Sequence, residues 1–121
     1  MKMPLSEVLD RFTITKIRAE RTSTDVKDEI NFYKSAMDEL PSDLLEGFTS
    51  RLYKANLELW IVEEEIFKIV NSSNPNFDKI GRLAMNVRDL NWDRNEIKQE
   101  VSAACDKISL NYSKVKYGRA S

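Results

Sequence analysis

The stretch 45-LEGFTSRLYKANLELWIVEEEIFKI-69 decides the fold. Leu45, Phe48, Leu52, Ala55, Leu59, Val62, Ile66 and Ile69 recur at spacings of three and four. That spacing lines one face of an α-helix with apolar side chains. Tyr53, Trp60 and Phe67 form a second row beside the first, seven residues apart. The apolar stripe is therefore wider than a two-helix seam needs, which suits a bundle in which each helix has several neighbours.

On the C-terminal side, Asn71-Ser72-Ser73-Asn74-Pro75-Asn76 reads as a loop. Beyond it Ile80, Leu83, Val87, Leu90, Arg94, Ile97, Val101, Ala104 and Ile108 resume the three-and-four register, interrupted only by Arg94. One helix of about 30 residues, roughly 45 Å long, accounts for this register. The alternative is a break near Asn91, with Asp93 and Glu96 as a capping box. Residues 115–121 are expected to fray.

On the N-terminal side, LSEVLDRFTITKIRAER (5–21) reads as an amphipathic helix starting after Pro4, with Ser6 or a neighbour near its N-cap. Leu5, Leu9, Phe12, Thr13 and Ile17 share its inner face, and Glu7 stands four residues before Arg11, the favourable order for an ion pair. Thr22-Ser23-Thr24-Asp25 breaks this helix. A short second helix follows, carrying Val26, Ile30, Tyr33, Met37 and Leu40, until Pro41 ends it and Ser42 with Asp43 caps the next. The expected fold is all-α: a single domain over 1–121, an antiparallel bundle of about four helices with two long ones at the C-terminal end. Helices this long would leave much of their stripe wet in one small chain, so a homodimer is expected.

Composition excludes several chemistries. The 121 residues contain no histidine, which removes histidine triads, histidine metal sites and a histidine base. Cys105 is the single cysteine, so neither an internal disulfide nor a thiolate zinc site can form, and a reducing, cytoplasmic setting is expected. The formal net charge of −1 gives no global pull toward nucleic acid or anionic lipid; only the tail leans basic, through Lys107, Lys114, Lys116 and Arg119. MKMPLSEV has no apolar signal core, and no apolar run reaches the roughly 18 residues of a membrane span. No cofactor is implied.

Glu58, Glu63, Glu64 and Glu65 on one long helix and Asp89, Asp93 and Glu96 on the next raise a metal reading. Magnesium wants hard oxygen ligands and usually substrate phosphates. Glu63, Glu64, Asp89 and Asp93 would then serve a MazG-type, Mg-dependent nucleotide pyrophosphohydrolase. The paired ExxE and ExxD signature of such enzymes is absent. Solvated faces of charge-rich helices account for these acids more simply.

Arg94 interrupts an apolar seam, so it must be paired or reach water. Asp10 and Glu63 are its candidate partners. A buried ion pair of this kind often fixes register or oligomeric state. An anion contact by Arg94 with Arg11 and Arg18 is the functional alternative. Trp60 and Trp92 read as core or interface residues.

Three segments taken together resemble a family of short, uncharacterised all-α bacterial and phage proteins. Glu7-x-x-Asp10-Arg11-x-Thr13-Ile14-x-x-Ile17-Arg18-x-x-Arg21 is similar to its opening "GELxDKxTILxIKxxR" segment. Leu59-Trp60-x-x-Glu63 is similar to its "LWxIE" segment. Ala84-x-x-Val87-x-x-x-Asn91-x-x-Arg94-x-x-x-Lys98 is similar to "ARxVYxxNDxRxxxKxxIN". Trp92, Arg88 and Ser102 depart from the pattern, standing where the family has Asp, Tyr and Asn. The resemblance imports no activity. It implies an all-α domain in which Glu7, Asp10, Arg11, Thr13, Trp60, Glu63, Asn91 and Arg94 form one polar network. The function expected is that of a non-enzymatic interaction domain that self-associates.

Overall fold

The computed structural model describes residues 3–38 and 40–117, with side chains through residue 106. It contains four α-helices, and no strand occurs among the described residues. These are α1 (Leu5–Thr22), α2 (Lys27–Met37), α3 (Ser42–Val70) and α4 (Phe77–Tyr117). No helix among the described residues is long and apolar enough to cross a membrane.

The helix starts differ from the expected caps. Pro4, not Ser6, stands at the N-cap of α1, and its carbonyl accepts from the amides of Glu7 and Val8 at 3.0 and 3.1 Å. Ser6 is the second helical residue and is buried. Pro41 likewise precedes α3, so Ser42 is the first helical residue rather than the cap. Proline's fixed φ suits this entry, and the first amides of a helix lack intrahelical partners in any case. Between α1 and α2, Ser23 takes the left-handed conformation at φ 58° and ends α1. The Asp25 carboxylate then accepts from the Lys27 amide at 3.1 Å and starts α2.

The fourth helix runs unbroken through Asn91 for 41 residues, which is about 60 Å. The break with Asp93 and Glu96 as a capping box does not occur, and the helix exceeds its expected length. Its seam register holds throughout, so nothing in the packing rewards an interruption. It continues to Tyr117; residues 118–121, the rest of the tail expected to fray, lie outside the described residues. So do the side chains of Ile108 and of the basic tail.

The core gathers where the first half of α3 meets the second half of α4. Val8, Leu9 and Phe12 of α1 close over Leu52 and Ala55 of α3 and Ile97 and Val101 of α4, with Met37 and Leu40 at the edge. Leu9 and Leu52 are fully buried. Each such side chain contributes about 1.5–3 kcal/mol relative to its exposed state. The second helix packs chiefly on α1, while α1 packs on both long helices. Arg51 of α3 pairs with Glu100 of α4 near this core, and Glu65 pairs with Lys79 toward the α3–α4 loop. Away from α1 the seam is only half-covered: Val62, Ile66, Ile80, Leu83 and Val87 are partly exposed.

Candidate functional site

The inner face of α1 carries polar groups where an apolar helix face would carry leucine. Asp10 and Thr13 lie one turn apart and are 4% and 0% exposed. The Thr13 hydroxyl donates to the Asp10 carbonyl at 2.8 Å, a bond that lets threonine sit inside a helix. From α3, the Asn56 amide donates to the Asp10 carboxylate and to the Thr13 hydroxyl, at 2.9 Å each. From α4, Lys98 stands 3.6 Å from the other Asp10 oxygen and pairs closely with Glu7. Arg94 reaches toward Asp10 with its Nε 4.0 Å from the carboxylate. Glu7 also faces Arg11 at 3.6 Å.

This polar knot ties three helices at one level. The hydrogen bond from Lys98 holds the Glu7 carboxyl below the usual glutamate range, against the opposing cost of partial burial; the charges of Lys98 and Arg11 add to the lowering.

Of the eight residues expected to form a network, Glu7, Asp10, Arg11, Thr13 and Arg94 do assemble, with Asp10 rather than Glu63 facing Arg94. Asn56 and Lys98 complete the knot and were not expected in it. Asn91 is half-buried and makes no side-chain hydrogen bond among the described residues. Trp60 and Glu63 lie outside the knot, on the wall of an adjoining cleft.

That cleft has a volume of about 570 Å³ and opens between α1, α3 and α4. Ile14, Leu59, Trp60 and Phe67 supply its apolar surface, Arg94 and Asn56 its inner polar end, and Glu63, Glu64 and Lys68 its rim. Arg21 holds Glu64 at 2.8 Å and, helped by the Trp60 indole, draws its carboxyl below the usual range. The indole nitrogen is itself buried and makes no hydrogen bond of ordinary geometry. The same is true of Arg94 Nε.

The four acids of the metal reading do not share a site. Glu63 and Glu64 face the cleft, Asp89 pairs with its neighbour Arg88, and Asp93 lines a separate groove with Arg51, Lys54 and Glu58. No three acidic or cysteine side chains among the described residues stand where they could hold one metal ion. The three arginines of the anion reading are also apart: Arg18 grips Glu29 with two hydrogen bonds of 2.8 Å, Arg11 faces Glu7, and only Arg94 fronts the cleft.

Trp92 is not a core residue. It is 69% exposed, on the outer side of α4, with Phe77 and Met85 exposed along the same side at 76% and 52%. These three are eight and seven residues apart, so they form one stripe, opposite the seam that holds Leu83, Leu90 and Val101.

Fold and site together define a small all-helical domain pinned by a buried polar knot beside an open cleft. No protein family, curated protein or solved structure matches the chain.

Proposed function

We propose that the chain is a non-enzymatic interaction domain that pairs with a second copy of itself through the outer face of α4. The exposed stripe Phe77–Met85–Trp92 carries this reading. Apolar side chains aligned over some 15 residues of one helix face mark an interaction surface more than a solvated one. The occupant is a second copy because the stripe is self-complementary: in an antiparallel pair about a two-fold axis beside Met85, Phe77 of one α4 stands against Trp92 of the other and the two Met85 side chains meet near the axis.

In the same reading α3 and α4 are antiparallel arms. The pairings Arg51–Glu100 and Glu65–Lys79 support this, since the α3 number rises as the α4 number falls. The half-covered apolar seam near the α3–α4 loop also suits an arm that gains further cover in a dimer. A cytoplasmic setting and kinship with the short bacterial and phage helical proteins belong to the proposal too. They rest on the single cysteine and on the three sequence segments.

Light scattering after size exclusion tests it with Trp92→Glu, a change at an exposed position. The wild type is expected to elute as a dimer and the variant as a folded monomer, because two buried glutamates would replace two buried indoles at the two-fold interface. A variant that stayed dimeric would move the interface elsewhere.

A further inference from the structure

We propose that the cleft beside the polar knot binds a small molecule with an aromatic or aliphatic body and a single anionic group, held by Arg94. The charges of the knot point there. Two carboxylates, Glu7 and Asp10, face three cations, Arg11, Arg94 and Lys98. Lys98 lies against both carboxylates, and Asn56 occupies the Asp10 oxygen nearest Arg94. Arg94 is left 4.0 Å from that oxygen, with its Nε shielded from water and without a hydrogen bond. The Arg94 side chain lines the inner end of the cleft and is still 26% exposed, so an anion entering there can meet its guanidinium. The Trp60 indole lies on the same wall, its nitrogen turned toward the Glu64 carboxylate.

The rest of the lining selects the ligand class. Ile14, Leu59, Trp60 and Phe67 offer apolar surface to a ring or short chain, and a volume of about 570 Å³ falls within the ordinary range for small-molecule sites. At the rim Glu64 is paired with Arg21, and Glu63 and Lys68 oppose each other in sign. One inner cation within a nearly balanced rim suits a monoanion and disfavours a nucleotide polyphosphate. The site is independent of the proposed dimer surface, because Arg94 and Trp92 lie about 200° apart around α4.

Nitrogen–proton correlation spectra of the full chain test this, with naphthoate as the probe, neutral naphthylmethanol as its uncharged counterpart and pyrophosphate as the polyanion. The chain has two tryptophans, so its indole region holds two signals, assigned by Trp92→Phe. Naphthoate is expected to move the Trp60 signal in a saturable way and leave the Trp92 signal in place. Naphthylmethanol should bind at least about tenfold more weakly, the loss of one charge-assisted contact, and pyrophosphate should not bind. Arg94→Met should remove the preference for naphthoate over naphthylmethanol. Should that variant fail to fold, Phe67→Ala serves instead: the residue is 70% exposed, and its loss should weaken both aromatic probes together. An unmoved Trp60 signal would overturn the assignment. So would equal affinity for the charged and neutral probes, or tighter binding of a peptide ending in a free tryptophan carboxylate.

Discussion

The Asn56 amide nitrogen donates at once to the Asp10 carboxylate and the Thr13 hydroxyl, at 2.9 Å each, and so ties α3 to α1 within the polar knot. Both partners are buried, so neither can turn to water if the amide is removed. Asn56→Ala is expected to cost about 2 kcal/mol, as buried acceptors lose their donor and a small cavity opens. Asn56→Asp should cost more at neutral pH, because it sets a second carboxylate against Asp10, and should recover part of the loss as the pH falls. Urea unfolding of both variants at two pH values checks the order. An aspartate variant as stable as the alanine variant at neutral pH would show that the amide is not held between these two groups.

Lys98 is the cation on which both Glu7 and Asp10 converge, and its side chain is 19% exposed. Lys98→Met should destabilise the fold by about 2–3 kcal/mol, because two partly or fully buried carboxylates lose their nearest cation. The pH dependence follows from Glu7. Its carboxyl is held below the ordinary glutamate value of about 4.3 in the folded chain, so the unfolded chain binds the proton more readily. The stability that Glu7 contributes is therefore fully present above that value and is lost as the pH falls through the lower, folded value. Lys98→Met should flatten this acid-side loss. Thermal unfolding from neutral pH into the acid range measures it; an unchanged slope would show that Lys98 does not set the Glu7 titration.

Gly47 lies exposed in α3 with a negative φ, and a methyl group there would meet nothing within 4 Å. Helical backbone with free space around it is where alanine outperforms glycine. Gly47→Ala should stabilise the chain by about 0.5–1 kcal/mol. Chemical denaturation checks it, and a loss of stability would mean that the position is closed by a contact absent from the single chain.

The two long helices were legible because their apolar residues keep step for many turns, and nothing but helix satisfies that spacing. Arg94 was legible as a charge within that register. Asn56 carries the same signal: it falls four residues after Leu52 and three before Leu59, on the inner face of α3. Lys98 likewise falls four after Arg94 and three before Val101. Neither stands out by composition, because an apolar face is defined by its apolar positions and a single polar residue within it leaves the periodicity intact.

Of the two places the type of Trp92 allowed, core and interface, the structure excludes the core: its position outside the register of Leu90, Arg94 and Ile97 sets it facing outward. The first helix starts after Pro4 as its sequence indicates, while the caps fall on Pro4 and Pro41 rather than on the serines that follow, although serine is the commoner cap. The Glu7–Arg11 pair follows from spacing along one helix, but most acidic residues gave no sign of their partners on other helices. Which carboxylate meets which cation depends on how the helices lie across one another, and helix periodicity leaves that open.

Sedimentation equilibrium of the unaltered chain over a wide concentration range tests the account most directly. The outer face of α4 predicts a particle of twice the 14.1 kDa chain mass that dissociates on dilution and yields only the monomer in Trp92→Glu. A mass of 14.1 kDa at every concentration would contradict it, leaving Phe77, Met85 and Trp92 without the second copy proposed to cover them.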